Sequence, residues 1–254
     1  EAFVKPLYKG KGSKLAEGSY RPISKSSSMA KLLEKIITSK MMAHFSASNT
    51  LSERQFGFRP KRSTVTQLLR CLDDWTRSLS QRRTTYVVYV DLAKAFDSVC
   101  FDKLLECLAA SGIGSSLTKW ISAYIDGRCQ KVQIGESLSA PAVIKSGIIQ
   151  GSCIGPCLFL CYVQSLISHL EKIPNVEVYC FADDVKIYSH SNESLQIALD
   201  TLSKWCEKWQ LRVAPAKCQV LKIGLGPPHP FHLAGIELPY VDQGRDLGVI
   251  VDEK

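Results

Sequence analysis

VYCFADDVKIY, residues 178–188, is the stretch on which the interpretation of the whole sequence depends. Two adjacent acids, Asp183 and Asp184, interrupt two short runs of β-branched and aromatic residues. This pattern predicts a hairpin, with strands at 176–181 and 185–189 and the acids at its turn. The acids are either solvated turn residues or carboxylates held rigidly to bind a divalent metal ion. The rest of the sequence has to decide between these two interpretations.

The elements around this hairpin predict a split βαβ fold. The run TTYVVYV at 84–90 predicts a buried strand that ends at Asp91. Apolar periodicity and turn residues predict helices at 29–45, 65–79, 102–110, 115–125, 153–171 and 195–209, strands at 131–134 and 218–223, a loop or hairpin over 1–25, and a final hairpin after a break at 224–230. This order predicts an α/β (α+β) fold with a ferredoxin-like antiparallel sheet and helices on one face. In that topology Asp91 lies beside Asp183 and Asp184.

Composition indicates an ordinary globular chain in a reducing compartment. Its 254 residues, 45% hydrophobic and 22% charged, suffice for one large domain or two smaller subdomains. The ten cysteines lie mostly in apolar runs, which is typical of an intracellular protein, nuclear or cytoplasmic. Cys153, Cys157 and Cys161 share a helical face, but neither a histidine nor a fourth cysteine has zinc-ligand spacing, which favours a core role. The longest apolar stretch, 153–163, is too short to cross a bilayer.

Charge is distributed unevenly along the chain, whose net charge is +8. Residues 1–83 carry a balance of +11, whereas residues 84–254 carry −3. A basic first part joined to a slightly acidic second part suggests a polyanion-binding surface beside a carboxylate site. A solvated basic face is the alternative.

Three carboxylates at one edge of a sheet would repel one another unless cations neutralised them. Two Mg²⁺ ions about 3.5–4 Å apart do so, and they can activate an attacking oxygen while stabilising a leaving one. Mg²⁺ is held by a few carboxylates together with phosphate oxygens, and Mn²⁺ can substitute for it. The metal interpretation of the acids therefore predicts phosphoryl or nucleotidyl transfer.

Six motifs carry a resemblance to a known family. In chain order they are YRPIS (20–24), QFGFRPKRST (55–64), VDLAKAFDSV (90–99), SGIIQGSCIGP (146–156), FADD (181–184) and LGVIVD (247–252). Together they resemble the reverse transcriptases of non-LTR (LINE-type) retrotransposons over nearly the whole chain. The resemblance implies a right-hand polymerase with fingers and palm but no thumb. Residues 1–83 would form a basic fingers-like region, 84–223 the palm with fingers elements interleaved around 110–150, and 224–254 a primer-grip-like hairpin.

The resemblance also assigns the acids. It implies that Asp91 and Asp183 are the principal metal ligands, that Asp184 is a third and less directly coordinating acid, and that the backbone carbonyl of Leu92 is a further ligand. Lys217 stands where the family places a lysine that protonates the leaving pyrophosphate. A solvated surface lysine is the alternative interpretation of Lys217.

Phe96, five residues after Asp91, matches the family position that discriminates between sugars. A rigid ring packed under the sugar of the incoming nucleotide tolerates a 2′-hydrogen but not a 2′-hydroxyl. The resemblance therefore implies that Phe96 excludes ribonucleotides. Without the surrounding motif, a core aromatic would be the preferred interpretation.

Other motif residues match positions that bind the incoming nucleotide. Gln150 and Gly151 match residues that lie against the nascent base pair, where glycine permits close approach and glutamine donates hydrogen bonds. Arg21 matches an arginine that holds the triphosphate through a bidentate fork. Lys9 or Lys11 would assist it, and the sequence does not choose between them.

The resemblance assigns nucleic-acid contacts as well. It implies template contacts from Arg59, Lys61 and Arg62, and a primer-holding hairpin at Leu247 and Gly248. One departure affects that hairpin, because Arg245 and Asp246 replace aromatic-rich residues of the family.

The function implied is an RNA-directed DNA polymerase that acts in retrotransposon replication. Its partners would be an RNA template, a DNA primer and a deoxynucleoside triphosphate, with no membrane. The chain would be part of a larger polyprotein with the endonuclease and thumb elsewhere. Two alternatives stay open: a decayed or co-opted module that binds RNA without catalysis, and another palm enzyme such as a maturase or an RNA-templated RNA polymerase.

Overall fold

The structure is a computed structural model that describes residues 2–252. Its strands and helices, in chain order, are β1 (Ala2–Tyr8), β2 (Tyr20–Lys25), α1 (Ser28–Ala47), α2 (Thr64–Ser80), β3 (Thr85–Val90), β4 (Leu92–Ala93), α3 (Phe101–Ala110), α4 (Ser115–Ile125), β5 (Cys129–Ile134), β6 (Ser137–Leu138), β7 (Ala142–Val143), α5 (Gly155–Leu170), β8 (Val176–Phe181), β9 (Asp184–Ser189), α6 (Asn192–Trp209), β10 (Arg212–Val213), β11 (Gln219–Ile223), β12 (His232–Leu233), β13 (Ile236–Glu237), β14 (Tyr240–Val241), β15 (Gln243–Asp246) and β16 (Val249–Asp252). All the predicted helices are present, with ends that differ by a few residues.

The chain forms two compact units, and each is built from two separate segments. The first contains the residues up to 50 together with 96–162, and the second contains 51–95 together with the residues from 163 onward. Residues 51–83 therefore belong to the same unit as the hairpin of Asp183 and Asp184. The division into fingers and palm remains a prediction.

The first unit contains a mixed sheet and helices α1, α3 and α4. Strands β1 and β2 form an antiparallel hairpin, from Phe3↔Lys25 to Tyr8↔Tyr20, and β1 also pairs in parallel with β5. This hairpin is the one that the Gly-punctuated start of the sequence predicts. Helix α1 begins after Ser27, whose side chain accepts a hydrogen bond from Ala30 N, a typical N-cap.

The second unit contains the sheet that the split βαβ order predicts. Its strand order is β14-β11-β3-β9-β8, in which β11, β3, β9 and β8 pair antiparallel with one another and β14 pairs in parallel with β11. The four strands of the split βαβ unit are, in chain order, β3, β8, β9 and β11. The first of them, β3, lies between the fourth, β11, and the third, β9. This is the ferredoxin-like arrangement, so the predicted topology is confirmed.

Both faces of this sheet are buried, whereas the sequence predicts helices on one face only. Helix α2 packs on one face, where Trp75 and its neighbours form a cluster with Val87, Tyr188 and Leu221. Val88 and Ile187, which alternate with those positions along their strands, are fully buried on the opposite face. The continuous apolar run of β3 is the signal for burial on both sides.

The cysteines behave as core residues. All ten are free, and seven of them, including Cys157 and Cys161, are buried. Burial raises the pKa of the Cys157 thiol to about 12 and that of Cys161 to about 11, which keeps both thiols protonated. Within residues 2–252, none of the helices combines the length and the apolar character needed to span a membrane.

An ion pair between Lys186 and Asp246 lies in the interior of the second unit, with side chains only 4% and 3% exposed. The Tyr89 hydroxyl donates a hydrogen bond to Asp246 Oδ2 at 3.4 Å. Lys186 Nζ lies 3.5 Å from Cys71 Sγ and 5.4 Å from the centre of the Trp75 ring. The pair therefore fixes β15 against β9, at a position where the sequence shows only a departure from its family.

Removing one partner of this pair should be costly. We expect Asp246→Leu to lower the free energy of unfolding by roughly 3–5 kcal/mol, because Lys186 would keep an uncompensated buried charge. Urea unfolding measures the change. The double variant Lys186→Met/Asp246→Leu should recover most of the loss, since it removes both charges. A double variant as unstable as the single one would show that packing rather than charge is responsible.

The exposed ion pair between Arg77 and Asp73, on helix α2, offers a matched control. Asp73→Leu is the same substitution as Asp246→Leu, but it removes a carboxylate that is exposed to solvent. We expect it to change the free energy of unfolding by less than about 1 kcal/mol, because exposed ion pairs contribute little.

Candidate active site

The hairpin of Asp183 and Asp184 has a two-residue turn. Strands β8 and β9 pair antiparallel up to Phe181↔Asp184, which leaves Ala182 and Asp183 as the turn residues. Ala182 has φ of 58°, in the left-handed region, and is only 6% exposed. A positive φ at the first turn position matches the twist of a two-residue hairpin. The hairpin is thus confirmed, and its turn places Asp183 at the tip and Asp184 at the start of β9.

The sheet register brings Asp91 to this turn. Strand β3 pairs with β9 so that Val90 faces Val185, and Asp91, the residue that follows β3, therefore lies beside Asp184. The Asp91 carboxylate lies 3.2 Å from Lys217 Nζ. The backbone carbonyl of Asp91 accepts a hydrogen bond from Ala214 N at 2.8 Å. The backbone register therefore places Asp91 beside the hairpin of Asp183 and Asp184, as the topology predicts.

The electrostatics of Asp184 reflect this crowding. The pKa of Asp184 is raised to about 6 by partial burial and then by the neighbouring charges of Asp183, Asp91 and Asp246, and only Lys186 lowers it. The residue keeps part of its surface exposed to solvent, so burial of the carboxyl is only partial, and repulsion from the neighbouring acids adds to its effect. The arrangement holds more negative charge than its own cations neutralise.

The donor set fits a hard divalent cation in its chemistry. Carboxylate oxygens and a backbone carbonyl are the ligands that Mg²⁺ takes, and the raised pKa of Asp184 marks a place where positive charge is favourable. Within the described part of the chain, however, no three acidic, histidine or cysteine side chains are already gathered as a metal site. Asp91 points to Lys217 instead. Because Mg²⁺ keeps waters and substrate phosphates as ligands, an all-protein cage is not required.

Two other residues of the predicted set lie next to these acids. Leu92 is buried in the two-residue strand β4, which pairs with β10 through Leu92↔Val213. Lys217 ends a short 3₁₀ turn, Pro215–Lys217, and its side chain is 68% exposed. The metal role of the Leu92 carbonyl and the proton-donor role of Lys217 stay predictions.

A contact that the sequence did not predict supports the turn from outside the hairpin. Gln55, 1% exposed, accepts hydrogen bonds through Oε1 from Ala182 N at 2.9 Å and from Gly57 N at 2.8 Å. Residue 55 lies within the QFGFRPKRST motif, where only basic residues were assigned a function. The signal available in the sequence was a glutamine between Arg54 and Phe56, with a glycine at 57, which is too weak to interpret alone.

In the first unit, the predicted nucleotide-binding residues are held by local contacts. The Phe96 ring stacks on Phe159 with centroids 4.1 Å apart and an interplanar angle of 14°. Gln150 Nε2 donates a hydrogen bond to Asp97 Oδ1 at 2.7 Å. Gly151 has φ of 96°, and a Cβ there would lie 2.9 Å from Ser24 O. The glycine is therefore required by the fold itself, whatever it contacts in a substrate.

Comparisons with known proteins identify the family. The family described as "Reverse transcriptase (RNA-dependent DNA polymerase)" matches residues 9–250. The chain belongs to the reverse transcriptase family. It is 30% identical over 250 residues to the probable RNA-directed DNA polymerase from transposon BS of Drosophila melanogaster, covering 93% of this chain and 28% of that protein. It is 28% identical to the RNA-directed DNA polymerase from mobile element jockey of Drosophila funebris, in a match that covers 92% of this chain and 27% of that protein.

These relatives confirm the resemblance to polymerases of non-LTR retrotransposons. The chain spans less than a third of the length of these two relatives. Among solved structures, it is similar to apo telomerase from Candida tropicalis truncated from its C-terminal domain, with a TM-score of 0.62, 13% identity, and coverage of 92% of this chain and 53% of that one. It is also similar to telomerase from Candida tropicalis in complex with a fragment of telomeric RNA, with a TM-score of 0.65 and 11% identity. That match covers 87% of this chain and 42% of the telomerase chain. At this identity the similarity shows the fold alone.

The remaining predicted residues of the reverse transcriptase chain lie on exposed turns and strands. Arg21 is exposed on β2, and Lys9 Nζ donates to Gly18 O at 2.7 Å. Lys11 is exposed in the turn that follows. Leu247 and Gly248 form the turn of the β15–β16 hairpin, and both have positive φ, 48° and 94°. Their assigned contacts with substrate stay predictions.

The arginines of the QFGFRPKRST motif have structural partners. Arg59 and Arg62 both form ion pairs with Glu53, and the Arg62 guanidinium lies 4.8 Å from the centre of the Phe56 ring. Lys61 is exposed, with φ of 61°. Arg59 and Arg62 therefore stabilise this segment of the reverse transcriptase chain, and template contact by the three residues stays a prediction.

The raised pKa of Asp184 gives a test that needs no substrate. Above about pH 6 the folded protein pays the full cost of the Asp184 charge, and the cost disappears as the pH falls towards the unfolded value of about 3.8. We therefore expect Asp184→Asn to raise Tm at pH 7 and to change it little at pH 4, in thermal unfolding without metal.

Asp200→Asn, at an exposed position on α6, is the control, and its effect should not grow between pH 4 and pH 7. An Asp184→Asn gain that is the same at both pH values would contradict a raised pKa of Asp184 in the folded protein.

Proposed function

We propose that this chain is the polymerase core of an RNA-directed DNA polymerase, in which a primer 3′-oxygen attacks the α-phosphorus of a deoxynucleoside triphosphate and pyrophosphate leaves. The observation that carries the proposal is the sheet register, which places Asp91, Asp183 and Asp184 at one end of the sheet, where partial burial and then the neighbouring acids raise the pKa of Asp184. Membership of the reverse transcriptase family supports the choice of reaction.

The chain's own residues would act as follows. Asp91, Asp183, Asp184 and the Leu92 carbonyl would hold two Mg²⁺ ions, or Mn²⁺ in their place, and such ions supply charge neutralisation and activation of an oxygen nucleophile. Lys217 Nζ, 3.2 Å from Asp91 Oδ2, is a proton donor at the edge of the acids, suited to protonating the leaving pyrophosphate.

For the incoming nucleotide, we assign Phe96 to the exclusion of ribose. Its ring is stacked on Phe159, which restricts the rotation that a sugar hydroxyl would have to force. Gln150 and Gly151 would contact the nascent base pair, and Arg21 with Lys9 would hold the triphosphate.

The partners proposed are an RNA template and a DNA primer. Arg59, Lys61 and Arg62 would contact the template, and Leu247 with Gly248 the primer. We further propose a fingers region at 1–83, a palm at 84–223 and a primer-grip hairpin at 224–254, within a longer polyprotein that carries endonuclease and thumb regions. Several relatives are named Pol polyproteins. Ten free cysteines support an intracellular setting.

A second candidate function is RNA binding without catalysis. One observation favours it: residues 1–83 carry a balance of +11, which suits binding to a polyanion. Primer extension with Mg²⁺, run beside a salt-dependent RNA-binding assay, separates the candidates. Salt-sensitive binding with no incorporation by the full-length protein would favour the binding module.

The decisive variant for polymerisation is Asp183→Asn, which removes one negative charge with little change of shape. We expect primer extension on an RNA template to fall by about a hundredfold or more, because the charge that holds the metal ions is lost. The full-length protein and its variant are compared in single-nucleotide extension at several Mg²⁺ concentrations.

Asp126→Asn, on the exposed turn after α4, serves as the control and should extend at the wild-type rate. Undiminished extension by Asp183→Asn would refute the assignment of the acids.

Phe96→Ala tests the choice of sugar. We expect the ratio of ribonucleotide to deoxyribonucleotide incorporation to rise by about tenfold or more, because the ring no longer blocks a 2′-hydroxyl. The ratio is the readout because the loss of stacking on Phe159 weakens both activities together. Phe96→Tyr keeps the ring and should keep the ratio low. An unchanged ratio in Phe96→Ala would leave Phe96 as a packing residue and reopen the RNA polymerase alternative.

A further inference from the structure

We propose that Gln55 and Gly57 are positioning residues for the catalytic hairpin, and that they act by holding Ala182 in its left-handed conformation. This inference rests on the proposed function, because it concerns how the turn presents Asp183 and Asp184. Neither residue contacts a reacting group, so neither is a catalytic residue.

The chain from 54 to 57, which we call the hairpin support, lies along β8 up to the turn. Gln55 forms a parallel bridge with Cys180. The backbone of Cys180 is bonded on both sides of this bridge, since Cys180 N donates to Arg54 O at 2.9 Å and Phe56 N donates to Cys180 O at 2.8 Å. Arg54 Nη1 also lies 2.6 Å from Glu177 Oε2 on β8. The hairpin support is thus fixed to the strand that leads into the turn.

The Gln55 side chain continues this attachment to the turn itself. Its Oε1 accepts from Ala182 N at 2.9 Å, and its Nε2 lies 3.5 Å from Ala182 O. The same Oε1 accepts from Gly57 N at 2.8 Å, so both lone pairs are used. A buried amide oxygen that satisfies two backbone N–H groups is expensive to replace, because the donors would be left unpaired.

Gly57 removes the steric obstacle to this approach. A Cβ on Gly57 would lie 2.3 Å from Ala182 N and 3.0 Å from Phe181 C, distances at which backbone atoms would have to move. Gly57 is not in the left-handed region, so its own conformation would accept alanine. The reason for glycine at this position is therefore the turn of the acids and not the local backbone.

The turn needs such support for two reasons. Ala182 is a non-glycine residue at φ 58°, a conformation that is sparsely populated and persists only when its surroundings impose it. Asp183 and Asp184 follow directly and repel each other, so that a relaxed turn would let them separate. An amide suits residue 55, since it provides the acceptor oxygen without adding a fourth negative charge beside the acids.

The hairpin support is itself held in place on its other side. Arg59 Nη1 donates to Ser52 O at 2.5 Å and lies 3.4 Å from Gln55 O. Arg59 and Arg62 are both paired with Glu53. The support therefore has a fixed geometry of its own to impose on the turn, and this explains why the arginines of the motif face the protein.

The first experiment is Gln55→Leu, which keeps size and burial but removes both acceptor bonds. We expect kcat for primer extension to fall by about ten- to a hundredfold with KM for the nucleotide little changed, because the acids are displaced while the binding residues remain. Hydrogen exchange of the Ala182 amide in the metal-free protein should accelerate at least about tenfold, since that N–H loses its acceptor.

Gln67→Leu is the matched control. Gln67 is also a glutamine 1% exposed in the same unit, but its Oε1 has no hydrogen-bond partner among residues 2–252. We expect its kcat and its Ala182 exchange to match the wild type. Equal effects of Gln55→Leu and Gln67→Leu would show that loss of any buried glutamine has the same consequence, and would overturn the proposal.

The second experiment tests the left-handed conformation directly. Glycine adopts positive φ without penalty, so Ala182→Gly should reduce the kcat loss caused by Gln55→Leu to within about threefold. Gly57→Ala should lower kcat by about tenfold or more, whereas Gly114→Ala, at φ of −61° with no described atom within 4 Å of the added Cβ, should not. The absence of rescue by Ala182→Gly would overturn the link between Gln55 and the turn.

The outcome for Gln55 is separable from that for the polymerase assignment. If Asp183→Asn abolishes extension while Gln55→Leu leaves both kcat and Ala182 exchange unchanged, the polymerase stands and the positioning role fails. If Asp183→Asn leaves extension intact, the polymerase assignment fails, and the exchange measurement still decides whether Gln55 holds the turn.

Discussion

Repulsion among three aspartates held at one end of a buried sheet is the constraint on which the second unit depends. The β3–β9 register places Asp91 beside Asp184, and the hairpin turn adds Asp183. The surrounding structure answers this concentration of charge at close range: Lys217 pairs with Asp91, and Lys186 lies on the strand of Asp184. These cations leave the pKa of Asp184 raised, so the site is stable enough to fold and still attracts positive charge.

Much of this arrangement was predictable from the sequence, because the signals were local or followed the order of elements. The strand that ends at Asp91, the hairpin around Ala182 and the amphipathic helix α6 each carry a strong period or a turn signal. Their order then gives the ferredoxin-like topology, and that topology brings the acids together. No pairing between distant side chains was needed for this step.

The contacts that the sequence did not predict are those between distant polar residues. Gln55 lies in a turn-rich segment with no periodicity, so nothing indicated that it would reach Ala182 across more than a hundred residues of chain. The Lys186–Asp246 pair was equally hidden, since a charged residue within a strand suggests a solvated face and not the interior. Residues 51–83 belong to the second unit, and Gln55 and the Trp75 cluster contact its sheet at positions distant in the sequence.

Cys180 gives the hairpin a chemical reporter. Its thiol is 1% exposed, burial raises the pKa of the thiol, and its backbone is bonded to residues 54 and 56 on either side of the bridge. Alkylating reagents need an accessible thiolate. Modification of Cys180 therefore requires β8 to separate from its surroundings, and the rate of its labelling measures how often the strand that carries the acids opens in the native protein.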